Sequence, residues 1–314
     1  MSTLHQGESP TTSDVLPIDE EGAVEQQTRA DRRFKVPGWL GILWENGKSR
    51  VGLVMLAIFL IVAVFAPLFA PHDPRSNDFP PNLDPGGSHL LGTTTKGEDI
   101  VSQLIFGART SLIVGVVGGL LATVIALVIG LTAGYLGGTV NEVLTFFINL
   151  ALVVPILPLI ALLSAYAPGQ GLWVVILIIG LTGWASGARL KKAQILTLRS
   201  RDYITAAVFA GEGLWQVIFR EIMPNMISLV VVGFMGSAMG AIGAEAGLAF
   251  LGFGNPETIS WGTMSYWANN QGALVTGQWA WLLAPGLALS FLIMALTLVN
   301  FGVDALGNPQ LREE

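Results

Sequence analysis

The stretch "DYITAAVFAGEGLWQVIFREIMPN", Asp202 to Asn225, decides the reading of this chain. It is a half-polar segment set between two long apolar runs. Ile204–Val217 has helix-forming content, with Ala206, Ala207, Ala210 and Leu214 along one side. Gly211 and Gly213 weaken the helix but leave room for a close neighbour. Pro224 ends or kinks whatever precedes it. Taken alone, the segment is an amphipathic helix lying on a membrane surface or docking to another protein.

Its surroundings are those of a membrane protein. Hydrophobic residues make up 52% of the 314 and charged residues 12%, about half the charged fraction of ordinary soluble domains. Cysteine is absent, which excludes disulfides, thiol catalysis and thiolate metal sites. His5, His72 and His89 fall outside the apolar runs, so no metal site or proton relay built on histidine is expected within the membrane. The sequence predicts no metal ligands.

Six apolar runs approach the roughly 20 residues that a spanning helix needs: Val51–Ala70, Ser111–Leu136, Val140–Ala165, Leu172–Gly187, Ile227–Ala246 and Trp281–Val303. The fold class is therefore an all-α polytopic membrane protein with about six transmembrane helices. No charged residue lies deep in any of these six runs. Pro155, Pro158, Gly233 and Gly240 inside them are compatible with membrane helices.

Thirteen of the sixteen basic residues fall before the first run, between the fourth and fifth, or after the sixth. The positive-inside rule then puts both termini and the Asp202–Asn225 stretch in the cytoplasm. Residues 1–35 read as a disordered cytoplasmic tail and 36–50, "VPGWLGILWENGKSR", as an interfacial helix with Trp39 and Trp44 at headgroup level. Residues 51–70 form the first span and 71–108 an external, turn-rich segment. A core over 109–303 holds five spans, a cytoplasmic loop over 188–226 and an external segment over 247–280. Residues 304–314 form a cytoplasmic tail, and Asp304 is expected to be structural. The polar, acidic start excludes a secretory signal peptide.

"TAAVFAGEGLWQVIFREIMPN" (Thr205–Asn225) resembles the cytoplasmic loop signature of ABC importer permeases, in which Glu-Ala-Ala precedes a glycine and a later hydrophobic–Pro pair. Ala206, Ala207, Gly211, Met223 and Pro224 match; Thr205 replaces the usual Glu, and Glu221 stands where the general pattern has Ile. "IFREIMPN" is similar to the variant of the peptide/nickel/opine branch. "LGTTTKGEDIVSQLIFGARTSL" (Leu91–Leu112), "EAGLAFLGFGNPETISWGTM" (Glu245–Met264) and "APGLALSFLIMALTLVNFGVDALGNPQLR" (Ala284–Arg312) resemble further segments of that branch. Thr94 departs there from the usual Asp and Glu98 from the usual Arg. The pattern most resembles the second, C-type permease of dipeptide and oligopeptide importers.

The resemblance implies a type I ABC importer permease fold and a non-catalytic transport subunit of the bacterial-type inner membrane. It implies a second homologous permease, two ATPases (or one fused), an external solute-binding protein, the lipid bilayer, and no nucleic acid. The chain lacks G-x-x-x-x-G-K-[ST], so no cofactor is expected on it, and ATP and Mg belong to the ATPases. The helix would couple to the ATPase through Thr205, Ala206, Ala207, Gly211, Glu212, Arg220, Glu221 and Pro224, with Ala206, Ala207 and Gly211 forming the close-fitting face. Arg220 and Glu221 either pair with partner charges or form a solvated polar face. Glu245, Trp261, Tyr266 and Trp267 are candidates for contact with the partner permease or binding protein; Glu245 would otherwise be an interfacial carboxylate in water.

The resemblance ranks di- and oligopeptides first as cargo, cello- or other oligosaccharides second and nickel third. "YWANNQGALVTGQWAW" (Tyr266–Trp281) carries aromatics and amides that suit sugars, or else form an aromatic belt and docking surface. The pore-lining residues are not assigned. An ATP-independent secondary transporter or channel, and an intramembrane protease, are the competing classes. Neither explains the coupling-loop spacing.

Overall fold

The computed structural model describes residues 38–166 and 171–307. The tail expected over 1–35 and the end of the 304–314 tail lie outside the described residues, as does the Asp304 side chain. The chain divides into two units, Met1–Gly41 and Ile42–Glu314; the architecture below is that of the second. Every regular element among the described residues is helical, apart from two isolated bridges in the segment before the second span. Hydrocarbon offers no hydrogen bonds, so a spanning chain must satisfy its backbone within each helix.

Five helices are long and apolar enough to cross a bilayer: Gly47–Val64, Ile100–Leu136, Leu172–Arg199, Ile227–Phe250 and Trp279–Val303. A bent pair, Gly138–Val153 with Ile156–Tyr166, makes a sixth crossing if it counts as one span. The expected number of about six stands, but several boundaries move for identifiable reasons.

Helix α1 (Gly38–Glu45) ends before residue 50, because Asn46 leaves the helix and its side chain caps α2 (Gly47–Val64) by accepting from Ser49 N. Residues 47–50 thus open the first span instead of closing an interfacial helix. The first span ends at Val64; a short turn, α3 (Ala66–Phe69), follows with Pro67 near its start. Helix α4 (Ile100–Leu136) begins eleven residues before the expected Ser111. Asp99 caps it, accepting from Ser102 N at 2.8 Å. Its 37 residues measure about 55 Å at 1.5 Å each, against a hydrocarbon core of about 30 Å. Hydropathy marked only the part inside lipid; the rest projects beyond it. A π-helical turn, Val114–Gly118, lies within α4.

The expected continuous span Val140–Ala165 is instead broken. Helices α5 (Gly138–Val153) and α6 (Ile156–Tyr166) meet at 86°. Pro155 has no amide hydrogen and pushes the residue before it out of the helical region; Val154 sits at φ −72°, ψ 125°. Pro158 falls in the first turn of α6, where a missing N–H is tolerated. Helices α7 (Leu172–Thr182) and α8 (Ala185–Arg199) form the fourth span, which runs twelve residues past the expected Gly187. Then come α9 (Asp202–Phe209) and α10 (Leu214–Gln216), whose path continues through a π-helical turn, Val217–Ile222, to Met223–Asn225. Helix α11 (Ile227–Phe250) is the fifth span, α12 (Trp261–Asn270) a short helix after it, and α13 (Trp279–Gly307) the last.

Small residues hold these helices together. A Cβ on Gly52 of α2 would stand 2.7 Å from the Val299 backbone nitrogen of α13. One on Gly119 of α4 would stand 2.7 Å from Ala238 Cα of α11, and one on Gly130 of α4 would stand 2.9 Å from both the Ala188 carbonyl oxygen and Lys191 Cβ of α8. Lipid gives no hydrophobic drive between helices, so close backbone approach supplies the contact energy. The outward faces carry exposed Leu68, Val128, Phe146, Leu162 and Phe291, as a lipid-facing surface requires. Gly130→Ala is therefore expected to cost about 1–3 kcal/mol through overpacking, read as a lower unfolding midpoint in detergent. Gly286→Ala, whose added carbon meets nothing within 4 Å, is the matched control and should hold or raise the midpoint.

Candidate functional site

The far end of α4 meets the α9–α10 segment. Leu131 of α4, Ile195 and Leu198 of α8, Ile204 of α9, and Val217, Ile218 and Ile222 pack into one buried cluster, with Ala207 against it. In α9, Ile204 and Ala207 are three residues apart and share the inner face, as helical spacing requires. Of the residues expected to supply the close-fitting face, Ala206 and Gly211 are exposed, while Ala207 is half-buried against this cluster.

The outer face carries larger groups that sequence reasoning passed over. Phe209 is 87% exposed, with Val208, Trp215 and Phe219 also exposed. Trp215 and Phe219 stack with centroids 5.8 Å apart. The available signal was the run of aromatics at positions the inner face did not need. Thr205 and Arg220 are exposed, Glu212 and Glu221 half-buried, and Pro224 exposed after the π turn. Gly211 has φ +86°, a conformation that favours glycine, and ends α9 with its N–H on the Val208 carbonyl. Gln216 reaches back to accept from Gly213 N at 2.9 Å.

At the near end of α4 the two remaining loop segments form one body. Trp261 is 1% exposed and donates its indole N–H to the Leu104 carbonyl at 2.9 Å. Thr95 donates to Gln271, Gln278 donates to Asn82, and Lys96 Nζ sits 4.1 Å from the Trp267 ring centre. Tyr266 and Trp267 are half-buried. Gln271 and Gln278 are thus engaged by other loop residues and Trp281 is buried, whereas Asn269, Asn270 and Trp279 are exposed. Trp261 is accordingly a core anchor in place of a contact for an outside partner. Thr94 and Glu98, the two departures from the pattern within Leu91–Leu112, pair with each other, Thr94 donating to the Glu98 carboxylate at 3.0 Å.

Glu245 is 5% exposed on α11, which corrects its reading as a carboxylate in water. It borders a cavity of about 20 Å³ with Asn255, Thr258 and Thr263. Lys191, expected in the cytoplasmic loop, lies on α8, in the C-terminal half of the helix Leu172–Arg199, and is 1% exposed. It borders a larger cavity of about 630 Å³ between α4, α6, α8, α11 and α13.

His72, His89 and Asp99 come together, their ligand atoms within 4.8 Å of one another. The Asp99 oxygens are already occupied: Oδ1 accepts from His89 Nδ1 at 2.9 Å, and Oδ2 accepts from the Ser102 backbone and hydroxyl. The cluster anchors the start of α4. Burial acts to raise the Asp99 carboxyl, but the hydrogen bonds from His89 and Ser102 outweigh it and hold the group below its ordinary value.

A multi-pass helical bundle with glycine-packed spans and an aromatic-faced segment at one end defines the class: a polytopic α-helical membrane protein. Residues 126–313 match the family described as binding-protein-dependent transport system inner membrane component. Residues 44–85 match the N-terminal transmembrane domain of oligopeptide transport permease C. The chain belongs to the binding-protein-dependent transport permeases. It is 30% identical to the dipeptide transport system permease protein DppC of Bacillus subtilis, over 86% of this chain and 84% of that one. It is 30% identical to the oligopeptide transport system permease protein OppC of the same organism, over 85% and 87%. It is 31% identical to the DppC protein of Haemophilus influenzae, over 86% and 92%.

Asp99 provides a pH test. A carboxyl depressed in the folded state contributes stability above its unfolded value of about 4, and that stability is lost as pH falls through the folded value. Hydrogen exchange of residues 72–103 should therefore accelerate below about pH 4, and Asp99→Asn should abolish that pH dependence while raising exchange at pH 7.

Proposed function

We propose that this chain is one of two permease subunits of an ATP-driven importer of dipeptides and oligopeptides, with α9 as the lever moved by the ATPases. The observation that carries this reading is the outer face of α9 and α10. Phe209, Trp215 and Phe219 stand exposed over a buried anchor at Ile204, in a chain of a binding-protein-dependent transport family. Exposed aromatics in such a cluster mark a protein-binding surface. The dipeptide and oligopeptide permeases among its relatives support the cargo class.

In this reading the α9 end faces the cytoplasm, as the basic residues there favour. ATP and Mg stay on the partner subunits. ATPase closure pushes α9, and Ile204 with Ala207 transmits the push to α4 and α8. The bundle then moves as a rigid body between inward-open and outward-open states. The body around Trp261 receives the solute-binding protein, through Tyr266 and Trp267 rather than Trp261 itself. An oligosaccharide cargo is disfavoured because the relatives are named as dipeptide and oligopeptide permeases.

Two features favour an ATP-independent secondary transporter instead: the bent pair α5–α6 and the buried Lys191. Purifying the tagged chain in mild detergent and reconstituting what copurifies separates the readings. An importer brings down a second permease and P-loop ATPases and moves labelled peptide only with ATP. A secondary transporter comes down alone and moves solute without ATP. Phe209→Ala is expected to lower ATP-dependent uptake roughly tenfold or more, at the level of an interface hot spot, and to reduce ATPase recovery. Thr205→Ala, with its small exposed side chain, should change both far less.

A further inference from the structure

The 630 Å³ cavity contains a charge that the coupling mechanism does not use. Lys191 is 1% exposed as a residue and lines the cavity, and no side-chain hydrogen bond or ion pair holds its ammonium among the described residues. Its Cβ packs on Gly130, and its ammonium nitrogen stands 2.9 Å from where a Gly233 Cβ would be and 3.4 Å from that of Gly187. Two glycines thus make the space that the ammonium fills. An ammonium without a counter-charge, lining a largely apolar cavity, is a candidate binding group.

The rest of the cavity is suited to a small polar ligand with apolar parts. Asn300 borders it with a buried carbonyl oxygen that has no hydrogen-bond partner. Ser186 and Ser237 add hydroxyls to an otherwise apolar lining. Along α11, Cβ atoms on Gly236, Gly240 and Gly243 would meet nothing within 4 Å. These glycines keep space open, unlike Gly119 and Gly130, which bring helices together. The open face of α11 runs from Leu229 to Ala244, about 22 Å of helix at 1.5 Å per residue, lengthwise along the span.

The geometry points to Lys191 as a binding group for the C-terminal carboxylate of a peptide crossing the membrane. This rests on the peptide-importer reading above. A carboxylate is the counter-charge the ammonium lacks, and a charge-assisted hydrogen bond between them is strongest away from water. Asn300 offers an acceptor for an N–H of the same ligand.

The test uses the complete reconstituted importer, with its binding protein saturated. The probes are labelled trialanine and its C-terminal amide. The wild-type complex is expected to move the free acid roughly tenfold or more faster than the amide, as loss of one charge-assisted bond implies. Lys191→Met should bring the acid-to-amide ratio close to one, and Lys191→Arg should keep a preference for the acid. Equal wild-type rates for acid and amide, or an unchanged ratio in Lys191→Met, would overturn the assignment and leave the importer reading intact. ATP-driven uptake of other solutes with neither peptide moved would overturn both. Should Lys191→Met fail to assemble, the wild-type ratio still decides, and Gly233→Ala, which crowds the ammonium, should reduce it.

Discussion

Two helices in hydrocarbon gain little by touching unless their backbones come close, since lipid tails solvate apolar side chains as well as another helix does. The rest of this structure depends on that constraint. Gly52 admits the backbone of α13, Gly119 that of α11 and Gly130 that of α8. The last contact also sets the direction of Lys191. With its Cβ pressed on Gly130, the side chain runs toward Gly233, where only a glycine leaves room for the ammonium. A packing rule thereby places a charge in the cavity.

Helix α4 joins the two functional ends. One end is capped by Asp99 and locked to the body around Trp261, and the other sits in the cluster that holds Ile204 and Ala207. Helix α4, about 55 Å long and clamped at both ends, is interrupted by the π-helical turn Val114–Gly118, where a helix can adjust. The broken pair α5–α6 has a different use. Its right-angled bend at Val154–Pro155 brings Ile156, Leu157 and Ile160 to the wall of the large cavity.

The cavity and the coupling face are therefore connected by packed elements. Lys191 lies on α8, whose Ile195 and Leu198 enter the cluster beneath α9. Lys191 lies within two helical turns of Ile195 and Leu198 along α8. In the proposed importer, the charge offered to the cargo would sit on the element that the ATPases move.

Much of this was legible in the sequence. Long apolar runs gave the helical class and about six spans, because the bilayer sets a minimum length and forbids unpaired backbone. The ordered segments around Thr205–Asn225 and Leu91–Leu112 gave the family. Hydropathy gave no sign of the eleven polar-flanked residues that extend α4 to Asp99, since it registers lipid contact and helices continue beyond lipid. Pro155 was visible, but whether it kinks a span or breaks it depends on what packs beside it. The inward turn of Ala207 and the burial of Trp261, Glu245 and Lys191 were decided by tertiary structure alone. Composition and spacing determine which helices form and whether they enter a membrane; which neighbour each face meets, and so which charges are left without a partner, is fixed only when the helices pack.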